Sequence, residues 1–140
     1  QRSLSIVKAY LSEREGFGST ISKKQNARFD IAEQEMRLQA ARSLNRTAAD
    51  KIADGEEARI EVAMCKVFTA NVAQDAIDTA LQYCGANGIG RDLPLADFYE
   101  TVRQFRLVDG ADEVHKRTIA REAFEDVNED ELENVVRFDG

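Results

Sequence analysis

The sequence predicts an all-α fold, an antiparallel up-and-down bundle of four to five helices joined by short connections. Three observations lead to this prediction. Apolar residues recur at helical spacing along most of the chain, glycines and a single proline separate these runs, and no stretch alternates convincingly as a strand does. With 140 residues, of which 43% are hydrophobic and 32% charged, the chain is long enough for one domain with its own core.

The first predicted helix covers residues 2–13 and is followed by a glycine-rich break and a polar loop over residues 19–24. Its apolar positions are Leu4, Val7 and Leu11. Four basic residues surround the loop: Arg14, Lys23, Lys24 and Arg28. Phe17 stands between two glycines, and two interpretations remain open. The segment is either a solvated loop with one buried anchor or a site for an anion beside a flat group.

Two long helices are predicted over residues 25–53 and 56–84, separated by a stop at Asp54 and Gly55. The expected inward stripe of the first, rich in small residues, is Phe29, Ala32, Met36, Ala40, Leu44, Ala48 and Ile52. The expected inward stripe of the second long helix is Ile60, Ala63, Val67, Ala70, Ala73, Ile77, Ala80 and Cys84. Four further apolar residues of this helix lie outside the stripe: Val62, Phe68, Val72 and Leu81. Because the second helix is apolar on more than one side, we expect it at the bundle centre or at a subunit interface.

Residues 85–90 end the second long helix and are rich in glycine, but a helix precedes them where a dinucleotide-binding fingerprint needs a strand. A third helix is predicted to start at residues 92–94, with proline in its first turn. Its inward stripe is Leu95, Phe98, Val102 and Phe105. A fourth helix is predicted over residues 111–124, with Val114, Ile119, Ala123 and Phe124 inward and His115 on the exposed face.

The junction between the last two helices places a carboxylate, Asp109, directly before a glycine, Gly110. Asp112 and Glu113 follow in the first turn of the next helix, where the helix macrodipole favours acidic side chains. A carboxylate held where two helices meet can be directed at a ligand. The alternative is that Asp109 and Gly110 only stop one helix and cap the next.

The net charge of −7 is unevenly distributed, since residues 125–140 carry −6 of it. We expect these residues to form a solvated acidic tail. The nearly neutral remainder lacks the clustered positive charge of nucleic-acid-binding proteins. No apolar run approaches the ~18 residues of a membrane span, and the polarity of the first residues argues against a signal peptide. One histidine and two separated cysteines, Cys65 and Cys84, argue against a metal site and favour a reducing, cytoplasm-like compartment.

Three motifs, in this order and spacing, resemble the C-terminal helical domain of the acyl-CoA dehydrogenase family. They are Arg14-Glu15-Gly16-Phe17-Gly18 followed by Gln25, then Gln82-Tyr83-Cys84-Gly85-Ala86-Asn87-Gly88, then Val108-Asp109-Gly110-Ala111. We therefore expect a helical domain over residues 1–124 and the acidic tail over residues 125–140. The family has an N-terminal helical domain and a β domain before this bundle, so we expect the chain, which starts at Gln1, to be a piece of a longer flavoenzyme.

The resemblance implies FAD as cofactor, and it implies Asp109 as the catalytic base at a position where most members have glutamate. Arg14 would meet the FAD pyrophosphate, for which the planar guanidinium is well suited. The other cofactor-binding positions that it implies are Phe17, Gln25, Gln82, Ala86, Ala111 and Glu113. Two residues depart from the family pattern, because Ala86 replaces a glycine and Ala111 replaces a threonine whose hydroxyl helps to hold the flavin.

The implied reaction is the α,β-desaturation of an acyl-CoA thioester, in which the carboxylate takes the α proton and a hydride leaves the β carbon for the flavin. Electron-transfer flavoprotein would be the electron acceptor. A homodimer or homotetramer is also implied, in the cytoplasm or, in a eukaryote, the mitochondrial matrix. Two alternatives stay open: a nitroalkane oxidase-like flavoenzyme of the same fold, and a non-catalytic helical oligomerisation domain. Some relatives place the base upstream of Gln1, and we expect the 140-residue chain alone to be inactive.

Overall fold

The computed structural model describes residues 1–125, which form an all-α bundle with one small hairpin, so the predicted fold class is confirmed. In chain order, the elements are α1 (Arg2–Glu13), β1 (Glu15–Gly16), β2 (Ser19–Thr20), a 3-10 helix (Ile21–Lys23), α2 (Gln25–Ala53), α3 (Arg59–Cys84), α4 (Ala86–Ile89), α5 (Leu95–Gln104) and α6 (Asp112–Glu125). The hairpin, formed where the sequence predicted no strand, pairs Glu15 with Thr20 and Gly16 with Ser19. Of the predicted acidic tail, all residues after Glu125 lie outside the described part.

Helix α3 is the centre of the bundle, because α1, α2, α5 and α6 all pack against it. The central position is one of the two that the sequence predicted for this helix, the other being a subunit interface. The predicted stripe is buried at Ala63, Ala70, Ile77, Ala80 and Cys84, and Val72 on another side is fully buried as well. The main core cluster joins α3 to α1, α2 and α5 through Leu4, Val7, Leu11, Ala27, Ala76, Ala80, Cys84 and Leu95.

Helix α2 turns a different side toward the bundle from the one predicted. Its buried residues recur every seventh position: Ala27, Gln34, Ala41 and Ala48. Most of the predicted stripe is exposed, namely Phe29, Ala32, Met36, Ala40 and Ile52. The physical reason is that alanines let two helix backbones approach closely, whereas the bulkier Phe29 and Met36 would hold α2 away from α3.

Helices α5 and α6 follow one another along α3 and run antiparallel to it. Later residues of the chain contact earlier residues of α3. Gln74 Nε2 donates to Tyr99 OH of α5 (3.1 Å), and Asn71 Nδ2 donates to Asp112 Oδ2 of α6 (3.0 Å). The predicted break at Asp109 and Gly110 lies directly before α6, but the preceding helix ends earlier than its expected stripe through Phe105, at Gln104, so residues 105–111 form a loop between α5 and α6. Asp109 and Gly110 have φ of 54° and 91°, which a right-handed helix cannot contain.

The buried side of α6 was also predicted wrongly. Val114 and Phe124 are 59% and 75% exposed, and Ala123 is exposed, whereas Asp112 is buried. Phe105, expected on the inward stripe of the third helix, lies beyond the end of α5 and is 52% exposed. Of the four predicted inward positions of α6 only Ile119 is partly buried, and the fully buried residue is the polar Asp112, which bonds to Asn71 of α3.

Both cysteines are free: Cys84 is buried and Cys65 partly so. Burial raises the pKa of both thiols, and the charge of Glu61 contributes at Cys65. In residues 1–125, no helix combines the length and apolar character needed to cross a bilayer. The same residues contain no cluster of three or more side chains suited to holding a metal ion.

Candidate functional site

The first candidate group lies at the β1–β2 hairpin, whose two-residue turn is Phe17–Gly18. Both residues have positive φ, 53° and 81°, as in the type I′ turn that fits the twist of a hairpin. Phe17 is 96% exposed, so its interpretation as a buried anchor was wrong. Lys24 Nζ donates a 2.8 Å hydrogen bond to the Phe17 carbonyl oxygen, which ties the turn to the start of α2.

Arg14 and Gln25 lie on either side of this hairpin. The backbone of Arg14 is fixed, because its N–H donates to Tyr10 O (2.9 Å) and its carbonyl oxygen accepts from Ile21 N (2.8 Å). Its side chain is exposed and makes no ion pair within residues 1–125. Gln25 is the first residue of α2 and is exposed. The structure thus brings Arg14, Phe17 and Gln25 to one end of the bundle, as a basic, aromatic and amide set.

Gln82 and Ala86 lie at this same end, because α3 returns there antiparallel to α2. Two hydrogen bonds join the elements: Tyr83 OH donates to Asp30 Oδ2 (2.5 Å), and Asn87 Nδ2 donates to Tyr10 OH (3.2 Å). Gln82 lines a cleft of about 430 Å³. Gly85 has φ of 58°, and a Cβ added there would meet no atom within 4 Å, so a ligand can approach its backbone closely.

The second candidate group lies on the loop of residues 105–111. Asp109 is exposed at this loop and lines a cavity of about 500 Å³ between α3, α5 and the loop. The cavity is mainly apolar, with Val62, Ala70, Ala73, Val102, Phe105 and Val108 among its lining residues. An exposed carboxylate beside an apolar cavity can accept a proton from a ligand whose apolar part occupies the cavity.

The backbone at Asp109 and Gly110 is held through the carbonyl oxygens of both residues. His115 Nε2 lies 3.1 Å from the Asp109 carbonyl oxygen, so this histidine is half-buried rather than on the exposed face as predicted. A Cβ added at Gly110 would lie 3.0 Å from His115 Nε2, and the φ of 91° there is unfavourable for any other residue. Lys66 Nζ donates to the Gly110 carbonyl oxygen at 2.5 Å. The backbone conformation therefore favours glycine strongly, and a larger residue would also have to displace the His115 ring.

Asp112 connects the two ends of this loop and is only 1% exposed. Its Oδ2 accepts hydrogen bonds from Arg106 Nε (2.9 Å) and Asn71 Nδ2 (3.0 Å), and its Oδ1 accepts from Lys66 Nζ (3.3 Å). Its backbone N–H donates to the Arg106 carbonyl oxygen at 3.2 Å. The sequence-based interpretation of Asp112 as an acid that only complements a helix dipole was therefore incomplete.

The charge state of Asp112 follows from these donors. Burial alone would raise the pKa of this carboxyl group, but the hydrogen bonds from Asn71, Arg106 and Lys66 outweigh it and the pKa is lowered. Asp112 is therefore ionised at neutral pH. A signal for this network was present in the sequence, because Lys66, Asn71 and Gln74 interrupt an apolar helix, and buried polar groups need partners.

The sequence-predicted site residues form two groups rather than one. Arg14, Phe17, Gln25, Gln82 and Ala86 lie at the hairpin end, whereas Asp109, half-buried Ala111 and exposed Glu113 lie further along α3. From Lys66, beside the Asp109 loop, to Gln82 the rise of α3 is about 24 Å. A small ligand cannot touch both groups, so an extended ligand or two ligand molecules would be needed.

Comparison with known proteins shows what the chain is similar to. The family model described as "Acyl-CoA dehydrogenase, C-terminal domain" matches residues 1–124. The chain is 37% identical over 123 residues to acyl-CoA dehydrogenase family member 11 of Gallus gallus, covering 86% of this chain and 16% of that protein. It is 38% identical over 123 residues to the Mycobacterium tuberculosis protein "Probable acyl-CoA dehydrogenase FadE2", covering 86% of this chain and 30% of the relative.

Solved structures are similar over the same region. Butyryl-CoA dehydrogenase from Megasphaera elsdenii superposes with a TM-score of 0.84 at 25% identity, covering 87% of this chain and 32% of that one. The FAD complex of PigA superposes with a TM-score of 0.83 at 25% identity, covering 87% of this chain and 32% of PigA. The chain thus spans less than a third of each of these proteins.

Proposed function

Because the chain belongs to the acyl-CoA dehydrogenase family, as its C-terminal domain, we propose that it is part of an FAD-dependent enzyme that desaturates an acyl-CoA thioester between its α and β carbons. The observation that carries this proposal is the exposed carboxylate of Asp109 beside the apolar cavity of about 500 Å³. The cavity offers apolar surface to an acyl chain, and the carboxylate offers a proton acceptor next to it.

In this proposal Asp109 is the catalytic base that removes the α proton of the thioester. That proton is only weakly acidic, so hydrogen bonds to the thioester carbonyl must stabilise the negative charge that develops as the proton leaves. The fixed backbone of the 105–111 loop directs the carboxylate, while its exposed side chain stays free to reach the substrate. Such positioning of a reacting group contributes a large part of enzymatic rate enhancement.

The residues at the hairpin end fit the FAD that the family uses. Residues 13–28 carry a net charge of +2 in a chain of net charge −7, which suits the anionic pyrophosphate. Arg14 would pair the phosphate oxygens, Phe17 and Gln25 would line the cofactor, and Gln82 and Ala86 would contact its adenosine end. Near the base, Ala111 and Glu113 would lie beside the flavin. When bound, FAD supplies the acceptor for the hydride that leaves the β carbon.

A homodimer or homotetramer would explain why the two groups are separated by about 24 Å along α3. One chain could then hold a flavin beside Asp109 and the adenosine end of the neighbouring subunit's flavin beside Gln82. The exposed apolar residues Phe29 and Met36 of α2 are available for such an interface. Electron-transfer flavoprotein as acceptor and a cytoplasmic or mitochondrial-matrix location complete the proposal.

The aspartate at position 109, where the family resemblance implies a glutamate, supports one alternative, a nitroalkane oxidase-like enzyme. The same base would then remove the proton beside a nitro group. The non-catalytic alternative explains less, since an oligomerisation domain has no need of an exposed Arg14 or of a loop held around Asp109. Assaying the enzyme with acyl-CoA and with a nitroalkane separates the two enzymatic functions.

The test uses a full-length flavoenzyme that contains this domain. We expect Asp109→Asn to retain FAD but to lower the rate of anaerobic flavin bleaching by acyl-CoA by on the order of 10²–10⁴, because an amide cannot accept the proton. Asp54→Asn, an exposed aspartate between α2 and α3, is the matched control and should bleach at the parent rate. Bleaching of Asp109→Asn at the parent rate would show that the base lies elsewhere.

A further inference from the structure

We propose that Asp112 is a positioning residue for the base, because its buried carboxylate closes the loop that carries Asp109 and fixes that loop to α3. This inference rests on the proposed role of Asp109 and adds to it a residue that does not touch the substrate. It is carried by the hydrogen bonds that converge on Asp112 from three directions.

The first step is the closure of the loop. Arg106 Nε donates to the Asp112 carboxylate at 2.9 Å, while the Asp112 N–H donates to the Arg106 carbonyl oxygen at 3.2 Å. These two bonds join the residues that flank positions 107–111, so the intervening segment is closed at its base. Arg106 is itself held on α3, since its Nη1 donates to Gln74 Oε1 at 3.3 Å.

The second step is the attachment of the loop to α3 through Lys66. The ammonium donates to the Asp112 carboxylate at 3.3 Å and to the Gly110 carbonyl oxygen at 2.5 Å. The Asp112 charge therefore holds Lys66 where it can bind the carbonyl oxygen of Gly110, the residue directly after Asp109. His115 lies on the carbonyl oxygen of Asp109 itself, so two successive carbonyl groups at the base are held while its side chain stays free.

A purely stabilising role does not account for the burial of Asp112. An acidic residue that only complements a helix dipole can remain exposed, as Asp97 does in the first turn of α5. Burying a charged pair adds little net stability, because desolvation offsets much of the attraction, but it restricts the groups to one arrangement. Three donors on one buried carboxylate suit the task of holding a loop in a single position.

Asp112 also balances the charge next to the base. Lys66 and Arg106 both bind the Asp112 carboxylate, and Lys66 lines the same cavity as Asp109. Without the negative charge of Asp112, the two cations would be incompletely neutralised. Asp112 therefore supplies the negative charge that keeps these two cations in place beside the cavity that Asp109 lines.

The first experiment introduces Asp112→Asn into a full-length flavoenzyme that contains this domain. We expect anaerobic flavin reduction by acyl-CoA to slow by roughly 10- to 100-fold, since displacing a catalytic group by about 1 Å can have an effect of this size. FAD content and the KM for acyl-CoA should stay the same, so that the loss falls on kcat, as expected for a residue that acts through the base and does not touch the substrate. Asp97→Asn is the matched control and should change neither kcat nor KM.

A double variant separates this inference from the proposed function. If Asp112 acts through Asp109, then Asp112→Asn should slow the parent enzyme but should cause no further loss in the Asp109→Asn background. An Asp112→Asn enzyme with the parent rate, or with an equal loss in both backgrounds, would overturn the positioning role and leave Asp109 as the base. A parent rate in Asp109→Asn alone would instead overturn the proposed function.

A second variant covers the case in which Asp112→Asn does not fold. Lys66→Met removes the bond to Gly110 while it leaves Arg106 and Asn71 on Asp112, and it should slow flavin reduction by a similar factor. In the 140-residue chain, amide hydrogen exchange over residues 105–112 should be faster in Lys66→Met than in the parent. Unchanged exchange together with an unchanged rate would overturn the inference.

Discussion

The Lys66 ammonium donates a 2.5 Å hydrogen bond to the carbonyl oxygen of Gly110, although 44 residues separate the two in sequence. The bond joins the first half of the central helix α3 to the residue that follows Asp109. It places a charge-assisted contact beside the proposed base without involving the carboxylate of that base. This arrangement leads to predictions about the length of the side chain at position 109 and about the stability that the hydrogen bonds of Asp112 provide.

Asp109→Glu tests whether the site is built for the shorter side chain. Glutamate is longer by one methylene, about 1.5 Å, while the loop backbone stays held by Lys66 and His115. We expect the longer side chain to misplace the carboxylate and to slow flavin reduction by acyl-CoA in the full-length flavoenzyme. Stopped-flow bleaching measures this rate, and a faster rate than in the parent would mean that the loop is not adapted to aspartate.

Arg14→Ala should weaken FAD retention more than it slows the chemical step. Arg14 is exposed and makes no ion pair within the described residues, so its removal takes away a partner for the pyrophosphate and little structure. The measurement is flavin absorbance per protein after gel filtration of the full-length flavoenzyme. Arg121→Ala on the exposed surface of α6 serves as control, and equal flavin content in the two variants would contradict the pyrophosphate role.

The Asp112 network should make the free energy of unfolding of the 140-residue chain depend on pH in acid. The pKa of Asp112 is lower in the folded state than in the unfolded state. The Asp112 charge therefore contributes fully to the free energy of unfolding above the unfolded-state pKa of about 3.9, and this contribution is lost as the pH falls through the lower folded-state pKa. Asp112→Asn should destabilise the chain at pH 7 by about 3 kcal/mol, the low end for a buried pair, because Arg106 and Lys66 are partly solvated.

Urea unfolding at pH 7 and near pH 3 checks this expectation. The difference between parent and Asp112→Asn should shrink on acidification, because below about pH 3.9 the unfolded parent binds a proton at Asp112 that the folded carboxylate resists. Glu113→Gln is the neighbouring control, since Glu113 is exposed in the same helical turn, and its effect on unfolding should be small at both pH values. A parent–variant difference that is equal at pH 7 and pH 3 would show that the Asp112 charge does not stabilise the fold.

The apolar surface of α2 should make the chain self-associate. Phe29 and Met36 are 63% and 62% exposed, lie seven positions apart and therefore share one side of the helix. Sedimentation velocity should show a concentration-dependent dimer or larger species, and the Phe29→Glu/Met36→Glu double variant should shift it to monomer. A parent that stays monomeric at high concentration, or a variant that associates equally well, would contradict the prediction.

The helical fold and most helix limits could be predicted because they depend on local signals. Helical spacing and the glycines at positions 55 and 85 identified α2 and α3 closely. The buried side of α2 could not be predicted in the same way, because both of its sides carry apolar residues. Which side turns inward depends on how near α3 can approach, and that is a property of two helices in contact rather than of one sequence window.

The two groups of candidate site residues also show that sequence patterns reveal local features but not contacts between distant residues. The motifs around Arg14 and Asp109 were found because they are contiguous in sequence and match a known family pattern. Asp112 was assigned only to a helix terminus, since its partners Lys66 and Asn71 lie more than 40 positions earlier. The separation of the groups along α3 was likewise missed, because spacing in sequence gives no distance between elements that a loop connects.

The loop between α5 and α6 determines how far the carboxylate of Asp109 extends from the bundle. Each helix packs on α3 by itself, so a residue inserted in positions 107–111 would leave both helices in register. One inserted residue could move the carboxylate by up to about 3.5 Å, whereas exchanging aspartate and glutamate moves it by about 1.5 Å. Insertion therefore changes the position of the carboxylate in a large step, and substitution changes it in a small one. Either change would match the same bundle to substrates whose acidic hydrogen lies nearer to the loop or farther from it.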